Sequence, residues 1–192
     1  MKNIKKILYI INHKSFFVSH RLKIALEAKK QKFETFLICG TDASYSMKKE
    51  AEKILKKKKI NFKEICSDPS KFNLILDIKY IYKTFLFLKE YRPDLIHIAS
   101  PKALVLGGIA ARLYNKSAVI LSISGLGHIF TEKNFKTKIL SFLFIRIIKI
   151  ITNLKKTMVI VQNKDDYVFF RKILKIKKKK NQNNQGFGSR YK

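Results

Sequence analysis

Six short apolar runs alternate along the chain with longer segments of helical periodicity, and this alternation constrains the fold more than any other feature. The spacing of Val18, Leu22, Ala25 and Leu26 is typical of an amphipathic helix. Strands that alternate with helices form parallel sheets that are covered on both faces. The sequence therefore predicts an α/β fold, a doubly wound parallel sheet of about six strands with helices on both faces. The six predicted strands are KILYIIN, FETFLICG, INFKEICS, DLIHIAS, SAVILSIS and TMVIVQN.

The alternation continues as far as Ile176, and the composition changes there. The last residues, KKKKNQNNQGFGSRYK, are polar and show no hydrophobic periodicity. We therefore expect one domain over residues 1–176 and a basic, polar, disordered tail over residues 177–192.

The segment from Ile139 to Ile151 is almost continuously apolar, interrupted by Arg146 and Lys149. It is shorter than the roughly 20 residues that a membrane-spanning helix requires. Two interpretations are open: a helix packed on the sheet, or an interfacial helix lying in anionic lipid with its cations outward.

The charge of the chain is strongly unbalanced, with 42 Lys and Arg residues against 13 Asp and Glu residues and a formal net charge of +29. Such a surface is attracted to polyanions such as anionic lipid, phosphorylated substrates or nucleic acid. The lysines are spread along the chain, however, so an A/T-biased genome that uses lysine as its ordinary surface residue explains them as well. The spread makes nucleic acid the less favoured partner.

Cysteine usage and the N-terminus predict an ordinary reducing environment. Cys39 and Cys66 each end an apolar run, which suits small apolar residues better than a disulfide framework, and no clustered histidines suggest a metal site. The N-terminal apolar run breaks at Asn12 and His13 and is not followed by a small-residue cleavage site, so it does not have the pattern of a signal peptide. We expect a cytoplasmic protein, with peripheral contact at the inner face of the cell membrane as a further expectation.

Small, polar and basic residues follow the predicted strands, where open parallel sheets bind their ligands. They predict a site at the carboxyl edge of the sheet. They comprise His13 to Ser15, Gly40 and Thr41, Cys66 and Ser67, Ser100 to Lys102, Ser124 to His128, and Gln162 and Asn163.

The glycine loop after the fifth strand, SGLGH, has two interpretations. Its backbone N–H groups could bind a phosphate or sugar hydroxyls, or Gly125 and Gly127 could only permit a tight turn. It is not a G-x-G-x-x-G fingerprint, because Phe130 stands at the third glycine position. The missing fingerprint argues against a nucleotide-dependent oxidoreductase, a third class of function.

Three basic residues are also candidates, two of them within the first predicted helix and one at the start of a later helix. Arg21 could clamp a phosphate and His20 could donate to a sugar hydroxyl or phosphate, or both could lie on a solvated helix face. Lys102, at a helix start after Pro101, could bind an anion or be a plain surface lysine. His97 lies within a strand and is expected to be a hydrogen-bonded core histidine.

Four motifs together resemble one family. The segments FVSHRLKIAL, PDLIHIASPKALVLGGIAARL, ISGLGHIFT and VIVQNKDD occur in the order found in family 4 retaining glycosyltransferases of the GT-B fold. The resemblance is to the N-terminal, acceptor-side domain, especially in bacterial enzymes of O-antigen, capsule or lipid-linked glycan synthesis. It covers Lys6 to Ile176 and implies a Rossmann-like domain.

The resemblance implies the site and its partners. His20, Arg21, Lys102, Ser124, Gly125 and Gly127 would line the acceptor side of a cleft, and the acceptor would be a polyprenyl-diphosphate-linked sugar or a glycan. Neither a metal nor a cofactor is implied, and a nucleotide-sugar donor is expected only with a C-terminal domain. The loop departs from relatives that have a histidine at the place of Ser124 and Gly125, so that role is not transferred to His128.

The resemblance also implies a missing half, since full-length relatives continue into a donor domain with paired glutamates. We expect a truncated or split glycosyltransferase that is inactive alone, with a separately encoded donor domain as its partner. The competing hypothesis is a basic Rossmann-like binding module that docks on anionic membrane or nucleic acid.

Overall fold

A computed structural model describes residues 4–42, 44–67, 73–123, 135–152, 156–162, 166–168, 171 and 187–188. The strands are β1 (Lys6–Ile11), β2 (Glu34–Cys39), β3 (Asn61–Glu64), β4 (Leu95–Ala99), β5 (Ala118–Ile123), β6 (Thr157–Val161) and β7 (Phe187–Gly188). The helices are α1 (Lys14–His20), α2 (Leu22–Lys30), α3 (Tyr45–Lys57), α4 (Leu74–Tyr91), α5 (Pro101–Tyr114) and α6 (Phe135–Thr152).

All seven strands pair in parallel in the order β3-β2-β1-β4-β5-β6-β7. The order reverses between β1 and β4, as in doubly wound sheets that bind ligands at this point. The predicted fold class and its six strands are therefore confirmed. The sequence does not predict β7, which lies in the expected tail. The rest of residues 177–192 is outside the described residues, so disorder there stays a prediction.

Two apolar cores cover the two faces of the sheet. On one face Tyr9, Phe17 and Leu37 pack beneath α1, α2 and α3. On the other face Leu8 and Leu104 belong to a larger core beneath α4, α5 and α6. Alternate residues of β1 point into different cores, which explains why its apolar run is continuous.

The chain between β1 and β2 forms two helices instead of the single helix that the periodicity predicts. Arg21 leaves helical geometry at φ −127° and ψ −15°, although its N–H still donates to the Phe17 carbonyl oxygen at 2.8 Å. This break separates α1 from α2 and places a buried cation at the junction.

Helix α6 packs on α5 and on β6, as the first of the two interpretations of this segment predicts. Phe144, Ile148 and Ile151 are buried, whereas Phe142 and Ile150 are exposed. Within the described ranges, every helix is too short or too polar to cross a bilayer.

Candidate functional site

The carboxyl ends of β1 and β4 meet at the point where the strand order reverses, and Asn12 joins them. Its N–H donates to Ser100 Oγ at 2.9 Å, and its Oδ1 accepts from the Ala103 N–H at 2.8 Å. Ser100, at the N-cap of α5, provides no side-chain cap itself. Asn12, which follows β1, thus caps α5, the helix that follows β4. Its Oδ1 accepts from a backbone N–H of the first turn that would otherwise have no acceptor.

One residue with a strained backbone, Ser100, lies at the same place. Ser100 has φ 77° and ψ 145°, a region that side chains rarely adopt. On the β2 side, a Cβ on Gly40 would lie 2.8 Å from the Asn12 carbonyl oxygen, so glycine permits the close approach of the two backbones. The backbones that follow β1 and β2 therefore lie in close contact at this edge of the sheet.

Arg21, at the junction of α1 and α2, is an unusual side chain on the sheet face that carries Tyr9 of β1 and His97 of β4. It is only 5% exposed, its Nη1 donates to the His20 carbonyl oxygen at 3.0 Å, and its Nε has no partner. Among the described residues no carboxylate forms an ion pair with it. Burial lowers the pKa of Arg21 below its ordinary value, but a guanidinium remains charged in a protein. Its positive charge is therefore buried and has no carboxylate partner among the described residues.

Two described neighbours of Arg21, Tyr9 and His97, do not supply a negative charge. Burial raises the pKa of Tyr9 to about 12, so its hydroxyl is protonated at neutral pH. Burial, with a smaller contribution from Arg21, lowers the pKa of His97 to about 4, so the imidazole is neutral. The Tyr9 and His97 rings lie 5.3 Å apart, and His97 Nε2 is 2.7 Å from Ser122 Oγ. His97 is thus a hydrogen-bonded core residue, as predicted.

His20 is adjacent to Arg21 in sequence but lies in a different environment. It is exposed, its ring stacks on Phe16 with centroids 4.3 Å apart, and its Nδ1 lies 2.6 Å from Ser19 Oγ. His20 therefore lies on a solvated helix face, as one of the two interpretations predicts, whereas Arg21 does not.

Lys102 is not the plain surface lysine of one interpretation. It is 8% exposed, and its Nζ lies 2.8 Å from Asp77 Oδ1, which ties α5 to α4. Asp77 Oδ2 also accepts from the Asn73 N–H at 3.0 Å. Since α5 packs on the face opposite to α1 and α2, Lys102 and Arg21 lie on opposite faces of the sheet.

Ser124, Gly125 and Gly127 lie outside the described residues. Strand β5 ends at Ile123, immediately before them, and pairs with β4. The role of the loop stays a prediction.

A second cluster at the carboxyl ends of β1, β2 and β3 was missed by the sequence analysis. Lys14 is fully buried, and its Nζ forms ion pairs with Asp42 at 3.7 Å, with Glu52 at 3.2 Å and with Glu64. Lys48 also pairs with Glu64, at 3.1 Å. The signal available in the sequence was the position of Lys14 and Asp42 directly after two predicted strands.

The contacts of this cluster stabilise the fold, because they join residues at the ends of β1, β2 and β3. Asp42 accepts from the Ser15 N–H at 3.1 Å and the Ser15 Oγ–H at 2.7 Å, and so caps α1. Burial raises the pKa of the neighbouring Cys39 thiol to about 12, which makes it unreactive. No set of three or more His, Cys, Asp or Glu residues suited to a metal ion occurs in the described part of the chain.

The strand order and the crevice between β1 and β4 define the class of the molecule, a Rossmann-like α/β domain with its ligand edge at the switch point. The family model described as "Glycosyl transferase 4-like" matches residues 6–163. The chain therefore belongs to the glycosyl transferase 4-like family. A search of curated proteins found no match.

Solved structures share the fold at low sequence identity. A glycosyltransferase from Rickettsia africae is 17% identical with a TM-score of 0.59, covering 91% of this chain and 41% of its own. MurG from Acinetobacter baumannii is 16% identical with a TM-score of 0.51, covering 82% and 41%. A putative UDP-N-acetylglucosamine 2-epimerase from Listeria monocytogenes is 12% identical with a TM-score of 0.61, covering 89% and 42%. The chain thus spans about two fifths of each of these proteins.

Proposed function

We propose that the chain forms the acceptor-side half of a glycosyltransferase that moves a sugar from a nucleotide sugar to a lipid-linked or polysaccharide acceptor. Family membership supports sugar transfer as the reaction class. The length of chain shared with the solved structures, about two fifths of each, supports a role as one half of the active unit.

The observation that carries the proposal is the buried guanidinium of Arg21, which has no carboxylate partner within the described part of the chain. A charge removed from water is costly unless an opposite charge compensates it. Phosphate suits a guanidinium because its oxygens accept two parallel hydrogen bonds from the planar fork. We therefore assign the anion to a phosphate of the acceptor, which fits a polyprenyl-diphosphate carrier.

In the proposed reaction an acceptor hydroxyl attacks the anomeric carbon of the donor sugar. The new bond joins that carbon to the acceptor oxygen, the bond to the nucleoside diphosphate breaks, and the diphosphate leaves with the electron pair. The hydroxyl proton passes to a base that we do not assign. This chain's contribution is orientation, which lowers the barrier only when the donor is held opposite the acceptor.

The same proposal gives secondary roles to His20 and to the loop that contains Ser124, Gly125 and Gly127, which would contact sugar hydroxyls. Lys102 has a weaker case, because Asp77 already compensates its charge. The donor is supplied by a further domain or by a separately encoded partner. No metal or cofactor is part of the proposal.

Binding of a soluble polyprenyl diphosphate tests the proposal. Farnesyl diphosphate, farnesol and UDP-glucose are titrated into the full 192-residue chain. We expect binding of farnesyl diphosphate only, and Arg21→Gln should weaken it by about tenfold or more because a charge-assisted hydrogen bond is lost. Arg112→Gln, an exposed arginine of α5, is the matched control and should change affinity by less than about twofold. Equal binding by Arg21→Gln and wild type contradicts the assignment.

Activity is the second arm of the test. We expect no sugar transfer from UDP-glucose or UDP-N-acetylglucosamine to a lipid-linked acceptor by the purified chain. Measurable transfer would contradict the role of the chain as one half of the enzyme.

A further inference from the structure

Helix α4 carries an apolar stripe on its solvent-facing side. Its members are between 43% and 76% exposed and recur mainly at intervals of four residues, so they line one side of the helix. We call them the α4 stripe. They are Leu74, Ile75, Ile78, Tyr82 and Leu86.

The stripe is not needed by the core. The opposite side of α4 already packs against the sheet through Tyr80, Phe87 and Leu88. A surface helix ordinarily turns polar residues to the solvent. Scattered exposed apolar side chains need no explanation, whereas a contiguous exposed apolar patch marks a contact surface.

Cations border the α4 stripe. Lys79 and Lys83 are exposed along one margin. Lys89 lies near the carboxyl end, with its Nζ 5.7 Å from the centre of the Phe85 ring.

Carboxylates do not cancel this charge. On α4 itself Asp77 is buried and paired with Lys102, and Glu90 is exposed at the last turn. The three exposed lysines of α4, Lys79, Lys83 and Lys89, therefore outnumber the one exposed carboxylate of the helix.

A second exposed stripe lies on α6, in the same layer. Phe142, Arg146 and Ile150 are exposed at intervals of four, and the Arg146 guanidinium lies 5.1 Å from the centre of the Phe142 ring. Helix α5 packs between α4 and α6 on one face of the sheet, so both stripes belong to the outer surface of one helical layer. Leu113 of α5, between them, is 61% exposed.

We infer that the outer surface of the α4–α5–α6 layer docks on an anionic lipid bilayer, with the α4 stripe at the acyl boundary and the bordering lysines at the headgroups. Apolar residues flanked by lysines are typical of helices that lie in the interface plane. Each lysine near an anionic surface adds to the attraction, and the net charge of +29 draws the whole chain to it. The inference does not depend on the proposed acceptor role, and it stands if Arg21 binds no diphosphate.

Vesicle flotation with the full chain tests the inference. One set of vesicles is phosphatidylcholine alone, and the other contains about 30% phosphatidylglycerol as the anionic lipid. Wild type should float with the anionic vesicles only. The variant Ile78→Ser with Leu86→Ser and the variant Lys79→Gln with Lys83→Gln should each weaken binding by about tenfold.

Matched controls lie on the other face of the sheet. Ile24 of α2 and Met47 of α3 are 51% and 53% exposed, close to the 57% and 43% of Ile78 and Leu86, and are likewise changed to Ser. Lys53→Gln with Lys57→Gln removes two exposed lysines of α3 at the same spacing as Lys79 and Lys83. Both controls should float like wild type.

Three results overturn the inference. Equal losses in the α3 and α4 lysine variants would mean diffuse attraction of the whole charge. Unchanged flotation of the Ile78→Ser, Leu86→Ser variant would mean that the stripe does not enter the interface. Absence of wild-type flotation, with a dimer in sedimentation velocity that the same variant dissociates, would assign the stripe to a second copy of the chain.

Discussion

Lys14 and Arg21 are two buried cations at the two ends of α1, and the protein treats them in opposite ways. Lys14 has three carboxylates around its ammonium group, from Asp42, Glu52 and Glu64. Within the ranges that the structure describes, Arg21 has one carbonyl oxygen as acceptor and an unpartnered Nε. Both side chains lie within the same small helical segment, so the difference belongs to their neighbours and not to the depth of burial.

The contrast separates a structural charge from a candidate binding charge. Only 13 acidic residues face 42 basic ones along the chain, and three of those acids converge on Lys14. A compensated buried cation holds elements together and has little left to offer a ligand. An uncompensated one retains its attraction for an anion, which makes Arg21 the better candidate.

Lys14→Met should produce the largest change in stability. The substitution keeps the volume and leaves Asp42, Glu52 and Glu64 without their shared cation, at a cost of about 3 kcal/mol in the free energy of unfolding. Urea denaturation measures the change.

An exposed ion pair provides the control for this prediction. Lys30 and Glu27 are 75% and 57% exposed, and Lys30→Met should change the free energy of unfolding by less than about 1 kcal/mol. Equal losses of stability in Lys14→Met and Lys30→Met would mean that the buried ion pairs of Lys14 stabilise the fold no more than an exposed ion pair does.

Acid should weaken the Lys14 cluster through Glu64. Burial alone would raise the pKa of Glu64, but hydrogen bonds from Lys14 and Lys48 outweigh it and hold the pKa below its ordinary value of 4.5. A lowered carboxyl pKa contributes stability above the unfolded value and loses it as the pH falls through the folded value. As the pH falls below the ordinary value of 4.5, Glu64→Gln should therefore show a flatter decline in stability than wild type. Parallel profiles for the two proteins would contradict the coupling of Glu64 to Lys14.

The sequence predicted the strands and helices better than it predicted which charged residues form ion pairs. All six predicted strands exist, because each is a local run of β-branched and aromatic residues that alternates with helices. The two-residue β7 was missed, because too few residues carry its pattern. The break at Arg21 was missed because the apolar periodicity of Val18, Leu22 and Ala25 continues through it.

The ion pairs could not be predicted from local sequence patterns, because their partners are far apart in the sequence. Lys14 meets Glu64 across 50 positions of sequence, and Asn12 caps α5 at Ala103 across 91. Such partners become neighbours only through the strand order and the register. The sequence could place Lys14 and Arg21 near the site but could not show which of them would be compensated.

Arg21→Met tests the other half of the comparison. Removing a buried charge that has no carboxylate partner relieves a desolvation cost, so the free energy of unfolding should stay equal or rise. Binding of farnesyl diphosphate should be lost in the same variant. Urea denaturation beside the Lys14→Met variant gives the direct contrast, and a destabilisation as large as that of Lys14→Met would mean that Arg21 is structural as well.

The smallest expected effect is a shift in the titration of His97, and it reports the field of Arg21 directly. Burial is the main cause of the low His97 pKa of about 4, and the Arg21 charge adds to it. Arg21→Met should therefore raise the pKa of His97 without restoring the ordinary value of 6.5, because the burial remains. Imidazole resonances followed by NMR measure the shift, and Arg112→Gln should leave it unchanged.

The sign of the effect on stability follows from the same values. With a folded pKa of about 4 against an ordinary value of 6.5, the unfolded chain takes up the His97 proton first, so stability falls as the pH falls through this window. Arg21→Met should lessen that fall. Farnesyl diphosphate bound to wild type should also raise the His97 pKa, because an anion at Arg21 cancels the same field. A His97 pKa that stays near 4 in the variant and with the ligand would show that the guanidinium does not act on this imidazole, and the contrast with Lys14 would then rest on stability alone.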